Sequence, residues 1–260
     1  MTKKQGVIAM PDPIAFSLFG LEVRWYGILI SSAILIGILI ATHRGKKQGI
    51  ISDDILDIVL VSIPAAMIGA RLYYVAFKLD YYLANPKEIF MIWEGGLAIH
   101  GGLIGAFLAG YVVCRIKKLK FTKVIDVFAP AFPLGQSIGR WGNYFNQEAY
   151  GAETDLPWAI TVMDPVKGLI QVHPTFLYES IWNLLVLGII LFYEKTKKKF
   201  DGELILIYGI YYSAGRFFIE GLRTDSLMFM NMRVAQLISF AVIMICTLCL
   251  KKIRSQSPIK

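Results

Sequence analysis

Apolar residues along this chain collect into long uninterrupted runs, and the polar residues are pushed into the gaps between them. The runs fall near Trp25 to Thr42, Ile55 to Phe77, Leu97 to Cys114, Val124 to Ile138, Phe176 to Tyr193, Leu204 to Gly221 and Val234 to Leu250. A helix of about 18 or more largely uncharged residues crosses the hydrocarbon core of a bilayer. The pattern therefore predicts an all-α polytopic membrane protein with about seven transmembrane helices. The fourth run is short and is interrupted by Pro130 and Pro133, so a kinked or partly re-entrant element is expected there.

Two of the gaps are long enough to hold structure. The connection from Tyr81 to Gly96 carries Trp93 and suits the headgroup layer, where amphipathic aromatic rings prefer to sit. The connection from Asn143 to Pro174 mixes Gly151, Pro157 and Pro165 with the alternation Trp158-Ala159-Ile160-Thr161-Val162. That predicts a short strand or hairpin, and a small loop or head region over 143–174. No repeat or low-complexity segment divides residues 1–260, which read as a single integral membrane domain.

Charge gives the chain a direction. Lys and Arg in short loops stay on the cytoplasmic side, and here they cluster in alternate gaps. The clusters are Arg44, Lys46 and Lys47; Arg115, Lys117, Lys118, Lys120 and Lys123; Lys195, Lys197, Lys198 and Lys199; and Lys251, Lys252, Arg254 and Lys260. With an odd number of spans the amino terminus lies outside and the carboxyl terminus is cytoplasmic, although Lys3, Lys4 and Arg24 pull the other way. The head region is then outward-facing.

Composition agrees: 56% of the 260 residues are hydrophobic, too many for a soluble domain of this size. The net charge of +8 follows mainly from the cytoplasmic clusters, which suit anionic membrane lipids. It does not indicate nucleic-acid binding, because no aromatic residues interleave a basic surface. The amino terminus lacks a small-residue cleavage site, which favours a retained anchor over a signal peptide. Cys246 and Cys249, inside an apolar run, read as membrane packing. Three scattered histidines give no metal-ligand set, and neither metal nor cofactor is implied.

Charged residues inside spans are the candidates for function, since an unpaired one costs about 2.5 kcal/mol or more at a helix centre. On the predicted topology Arg71, His100, Arg140, Arg216, Glu220 and Arg223 all fall in the outer half of the membrane. Tyr212, Arg216, Glu220 and Arg223 follow a helical stripe, and two arginines against one Glu leave positive charge for an anion. Guanidinium suits a phosphate, which it can hold by two parallel hydrogen bonds. A plain Arg216–Glu220 pair that only neutralises a buried charge is the simpler alternative. His100, bracketed by glycines in Gly95-Gly96-Leu97-Ala98-Ile99-His100-Gly101-Gly102, could exchange a proton or simply bond a carbonyl. His173, before Pro174, stays ambiguous. The densest polar stretch is Gly139 to Gly151, where Gly139 and Gly142 are expected to end a helix, with Arg140, Asn143 and Asn146 at three-residue spacing and Glu148 and Gly151 following.

This stretch, Gly139-Arg140-x-Gly142-Asn143-x-x-Asn146-x-Glu148-x-x-Gly151, resembles the signature of the bacterial prolipoprotein diacylglyceryl transferases. Further segments are similar along almost the whole chain: Arg24-Trp25-Tyr26-Gly27, Gly69-Ala70-Arg71-Leu72, the His100 segment, His173-Pro174-Thr175-x-x-Tyr178-Glu179 and Gly215-Arg216-Phe217-x-x-Glu220-x-x-Arg223. The resemblance implies a multi-pass enzyme of the bacterial cell membrane. Its substrates would be phosphatidylglycerol and a prolipoprotein signal peptide with a lipobox cysteine, and its products a diacylglyceryl thioether and glycerol phosphate. It implies Arg140 and Arg216 at the phosphate, with Asn143 and Asn146 orienting the headgroup. Tyr26, Arg71, Glu148, Gly151, Tyr212, Glu220 and Arg223 would bind substrate or brace the pocket. His100 leads for thiol deprotonation, with Glu148, Glu220 or an already activated thiol as alternatives. A transporter or flippase of an anionic lipid is the rival class, though such proteins usually show internal repeats and midplane sites.

Overall fold

The computed structural model describes residues 11–164 and 166–255. Lys3, Lys4, Pro165 and Lys260, used in the sequence reading, lie outside the described residues. The chain divides into two compact units, Met1–Gly37 with Phe128–Lys260, and Ile38–Val127.

The first unit opens with an antiparallel hairpin, β1 (Ile14–Leu18) and β2 (Leu21–Arg24), in which Leu18 pairs with Leu21. Helix α1 (Trp25–Lys47) follows without a linker and belongs to this unit as far as Gly37. The remaining long helices of the unit are α6 (Ala131–Asn146), α7 (Thr175–Thr196), α8 (Glu203–Glu220) and α9 (Val234–Ser255). The second unit holds α2 (Ser52–Phe77), α3 (Leu79–Ala84), α4 (Ile99–Ile116) and most of α5 (Phe121–Phe128). Among the described residues five helices, α1, α2, α4, α7 and α9, are long and apolar enough to cross a membrane. Their outward side chains suit lipid as solvent: Leu39 on α1 is 67% exposed and Leu60 on α2 is 68%.

The fourth predicted run is two helices, α5 and α6. The chain turns at Ala129 and Pro130, where the proline ring and its missing N–H end the hydrogen-bond ladder. Pro133 sits in the first turn of α6, where the amide lacks an intrahelical partner in any case. Contrary to expectation, Gly139 and Gly142 do not end α6. It runs on to Asn146 and stops at Gln147, which takes a left-handed conformation at φ 50°.

The glycines act in packing instead. Going up α6, Ala131, Gly135 and Gly139 meet Gly37, Ala33 and Ile30 going down α1, so the two helices run antiparallel. Gly142 lies flat against the Tyr26 ring, where even a methyl group would collide, and Trp25 stacks on Phe145 at 5.0 Å. In the second unit α2 and α4 cross in the same way. A side chain on Gly69 or Gly101 would run into the other's carbonyl, and one on Gly105 into the carbonyl of Ala65.

The predicted hairpin in 143–174 is present as β3 (Ile160–Asp164) and β4 (Gly168–Val172), paired from Ile160 with Val172 to Asp164 with Gly168. Asp164 closes its turn by accepting the amides of Val166 and Lys167, each at 2.9 Å. The connection from Tyr81 to Gly96 folds as the end of α3 and two 3-10 turns, Pro86–Phe90 and Ile92–Glu94. A last hairpin, β5 (Met228–Phe229) and β6 (Met232–Arg233), joins α8 to α9.

Candidate active site

Helix α7 begins at Thr175, directly after Pro174, and its buried face presents Thr175, Phe176, Glu179, Ser180 and Asn183 in turn. Trp182, one turn past Glu179, donates its indole N–H to the Tyr211 carbonyl of α8 at 2.8 Å. The indole fits only because Gly215 has no side chain, and this close approach sets Glu179 against Arg216. On the other side Ser180 and Ser137 join α7 to α6 at 2.8 Å, which sets Glu179 against Arg140.

Glu179 is the centre of the arrangement. Its carboxylate is 4% exposed, with Oε2 2.5 Å from Arg140 Nη2 and Oε1 accepting from Arg216 Nη1 at 2.8 Å. Arg223 Nη1 approaches the same Oε1 at 3.6 Å. Arg216 Nη2 also lies 2.6 Å from Glu220 Oε2, as an ion pair that is not aligned as a hydrogen bond. Arg223 grips Asp225 with both arms, Nε to Oδ1 at 2.8 Å and Nη2 to Oδ2 at 2.6 Å. Three guanidiniums thus meet three carboxylates in ion pairs, so these arginines have anionic partners within the protein.

The helical stripe also needs correcting. Helix α8 ends at Glu220, and Arg223 lies beyond it in a turn that bridges to Gly151. Burial pulls the Arg223 guanidinium down, but the bonds to Asp225 outweigh it and hold the group above its ordinary pKa. The same bonds hold the Asp225 carboxyl below the usual carboxylate range. From β6, Arg233 donates to the carbonyls of Glu220 at 2.7 Å and Arg223 at 3.2 Å, capping the end of α8 with a cation.

The rest of the polar stretch forms a second cluster. Asn143 and Asn146 both donate to Glu148 Oε1, at 2.9 and 3.3 Å. Gly151 is wedged between two chain segments: its amide donates to the His173 carbonyl at 3.0 Å, and the next amide, Ala152, donates to Leu222 at 2.8 Å. Thr175 closes the corner by donating its hydroxyl to the Ala149 carbonyl at 2.5 Å. His173 Nδ1 lies 3.2 Å from the Tyr178 hydroxyl, which accepts the Trp158 indole N–H at 2.8 Å.

A sequence profile described as prolipoprotein diacylglyceryl transferase matches residues 13–251. The chain belongs to the prolipoprotein diacylglyceryl transferase family. It is similar to a protein from Finegoldia magna named phosphatidylglycerol–prolipoprotein diacylglyceryl transferase, with 50% identity over 89% of this chain and 92% of the relative. Proteins of the same name from Clostridioides difficile and Clostridium novyi are 51% and 46% identical, over 88% and 96% of this chain and 90% and 99% of theirs.

In this diacylglyceryl transferase family member the first unit brings together Arg140, Arg216, Glu220 and Arg223 around Glu179, and Asn143, Asn146 and Glu148 around one carboxylate. Tyr26 packs under Gly142, and Tyr212 stacks on Tyr208 at 5.5 Å. Arg71 and His100 belong to the second unit. Arg71 is 6% exposed and donates to four backbone carbonyls, those of Glu88, Ile89 at 2.9 Å, Gly95 at 2.7 Å and Gly96 at 3.0 Å. It holds the connection before α4 in shape and lines a cavity of about 520 Å³ with Tyr74, Lys78 and Glu94. His100, the second residue of α4, is exposed and tilts against Tyr73 at 6.1 Å.

Glu179 is absent from the set chosen by sequence. The signal was present: it is the only charge between Thr175 and Tyr193, in a run otherwise apolar enough to span a membrane.

Proposed function

We infer that this chain transfers the diacylglyceryl group of phosphatidylglycerol to the lipobox cysteine thiol of a prolipoprotein, in the bacterial cytoplasmic membrane. The bond from the glycerol carbon to the phosphate oxygen breaks, a thioether forms, and glycerol phosphate leaves. The observation that carries this reading is 50% identity over 89% of the chain with a relative named for that activity.

The chemistry of the site supports it. A phosphate departing from carbon gathers negative charge on its oxygens, and fixed guanidiniums aimed at that charge stabilise departure. Arg140 and Arg216, drawn from different helices onto one buried carboxylate, are the residues we assign to the phosphate. Asn143 and Asn146, each with a further amide hydrogen, are assigned to the glycerol headgroup, and Glu148 orients them. Arg223, Glu220, Gly151, Tyr26 and Tyr212 brace these groups. Arg71 braces the second unit. His100 is the leading acceptor for the thiol proton.

For topology we propose seven crossings, with the amino terminus and head region outside and the carboxyl terminus cytoplasmic. Helix α8, 18 residues or about 27 Å long, crosses despite three charges because each is paired: Glu203 with Arg254 at 2.8 Å, and Arg216 and Glu220 as above. Helices α5 and α6 together make the fourth crossing.

The test is incubation of the purified protein with phosphatidylglycerol and a lipobox peptide, followed by mass spectrometry of the peptide and assay of glycerol phosphate. Equimolar thioether peptide and glycerol phosphate are expected. Folded protein yielding neither would refute the function. His100→Gln with an unchanged pH profile would remove His100 as the base while leaving the transfer reaction intact.

A further inference from the structure

The phosphate-binding arginines are already occupied. Glu179 offers one oxygen to Arg140 at 2.5 Å and the other to Arg216 at 2.8 Å, much as a phosphate would offer two oxygens to two guanidiniums. Arg216 and Arg223 have further partners in Glu220 and Asp225, whereas among the described residues the ion pair of Arg140 is the one to Glu179. A phosphate that reaches Arg140 and Arg216 therefore competes with Glu179 for the same guanidiniums.

We propose that Glu179 is an exchangeable counter-ion: it holds Arg140 and Arg216 aligned in the free enzyme, yields them to the phosphodiester, and takes them back to expel the product. This rests on the transferase reading above. The charges explain why exchange is needed. A phosphodiester carries one negative charge, like the carboxylate it displaces, so entry is close to neutral for the site. The released phosphate monoester carries about 1.5 to 2 negative charges at pH 7. Left among arginines with no competing anion, it would leave slowly and limit turnover.

Glu179 is a positioning residue here. Both its oxygens face guanidiniums, so it receives no proton in this scheme, and the thiol proton goes to another acceptor. Nor does it make or break a bond.

The experiment measures inhibition by glycerol phosphate and by inorganic phosphate in the full-length protein, for wild type, Glu179→Gln and Glu179→Asp. Glu179→Gln keeps the shape and removes the charge. The exchange predicts inhibition at least tenfold tighter in Glu179→Gln, with kcat falling more than KM for phosphatidylglycerol and a first turnover faster than the steady state. Glu179→Asp restores part of kcat and loosens the product.

Weaker phosphate inhibition in Glu179→Gln, in parallel with a raised KM, would overturn the proposal and make Glu179 a scaffold for the arginines. If Glu179→Gln does not fold, Glu179→Asp decides: product inhibition equal to wild type, in a folded protein with reduced kcat, also overturns it. Thermal stabilisation by glycerol phosphate, read without peptide, separates the two readings. A wild type inactive on the lipobox peptide would sink the transferase reading. Phosphate stabilisation no stronger in Glu179→Gln than in wild type would sink the exchange alone.

Discussion

The amide of Gly151 donates to the carbonyl of His173 at 3.0 Å, and the position a Gly151 side chain would take lies 2.7 Å from the His173 Cβ. That hydrogen bond and that lack of space belong together. They fix the start of α7, and so the depth at which Glu179 enters the ion cluster, to the same chain segment that bridges Arg223.

Gly151→Ala should therefore damage the site from a distance. The added methyl would also stand 3.0 Å from the Leu222 carbonyl and 3.0 Å from Thr175 Cγ2, so no neighbour can yield freely. Overpacking of this kind costs about 1–3 kcal/mol. A lowered unfolding temperature and at least a tenfold loss of transfer are expected, and wild-type values for both would show that the wedge has slack.

Lysine should not replace either central arginine. Arg216 serves Glu179 with one arm and Glu220 with the other, a fork that a single ammonium cannot reproduce. Arg140→Lys and Arg216→Lys are each expected to lower kcat/KM for phosphatidylglycerol by about a hundredfold or more. Arg216→Ala should in addition lose about 3–5 kcal/mol of stability, because two buried carboxylates lose a partner. Steady-state kinetics beside thermal unfolding separates the two effects.

In the second unit the crossing of α2 and α4 depends on missing side chains. Gly101→Leu should force the helices apart at Gly69, where the carbonyl has no room for a side chain. Loss of folded protein in detergent is expected, whereas Gly102→Ala should be mild, since its nearest neighbour would stand 3.4 Å away. Fluorescence-detected size exclusion distinguishes them.

The β3–β4 hairpin gives a pH-dependent prediction. The Lys167 amide, and after it that of Val166, hold the Asp164 carboxyl below the ordinary 3.8. A carboxyl lowered on folding contributes stability that is present above the ordinary value and lost as pH falls through the lower folded one. Hydrogen exchange at the amides of Val166 and Lys167 should be faster in Asp164→Asn than in wild type at pH 6, and the difference should shrink below about pH 3.8. A constant difference across that range would mean that the turn does not depend on the carboxylate.

Part of this geometry is legible in the sequence. The spacing of Arg140, Asn143 and Asn146 on one helix, followed by Glu148, already implied a shared face, because i and i+3 positions meet on a helix. Arg223 continues the helical spacing of α8 but lies beyond its end, since nothing in Gly221-Leu222-Arg223 marks that end as clearly as Pro130 marks the end of α5. Gly139 and Gly142 look like stops in the sequence, yet α6 runs through both. Glycine ends a helix or lets another helix approach, and only the neighbour, here Ile30 or Tyr26, decides which.

By itself the sequence determined the class of protein, its long apolar helices and its family. Those follow from local composition and spacing, which a bilayer makes strict because backbone groups must be satisfied within each span. Only the tertiary structure decided which charge meets which. Glu179 and Arg140 are 39 positions apart, and no local rule pairs them. Their meeting depends on Ser137 bonding Ser180, as that of Glu179 with Arg216 depends on Gly215 admitting Trp182, contacts between helices that set where each charge lies.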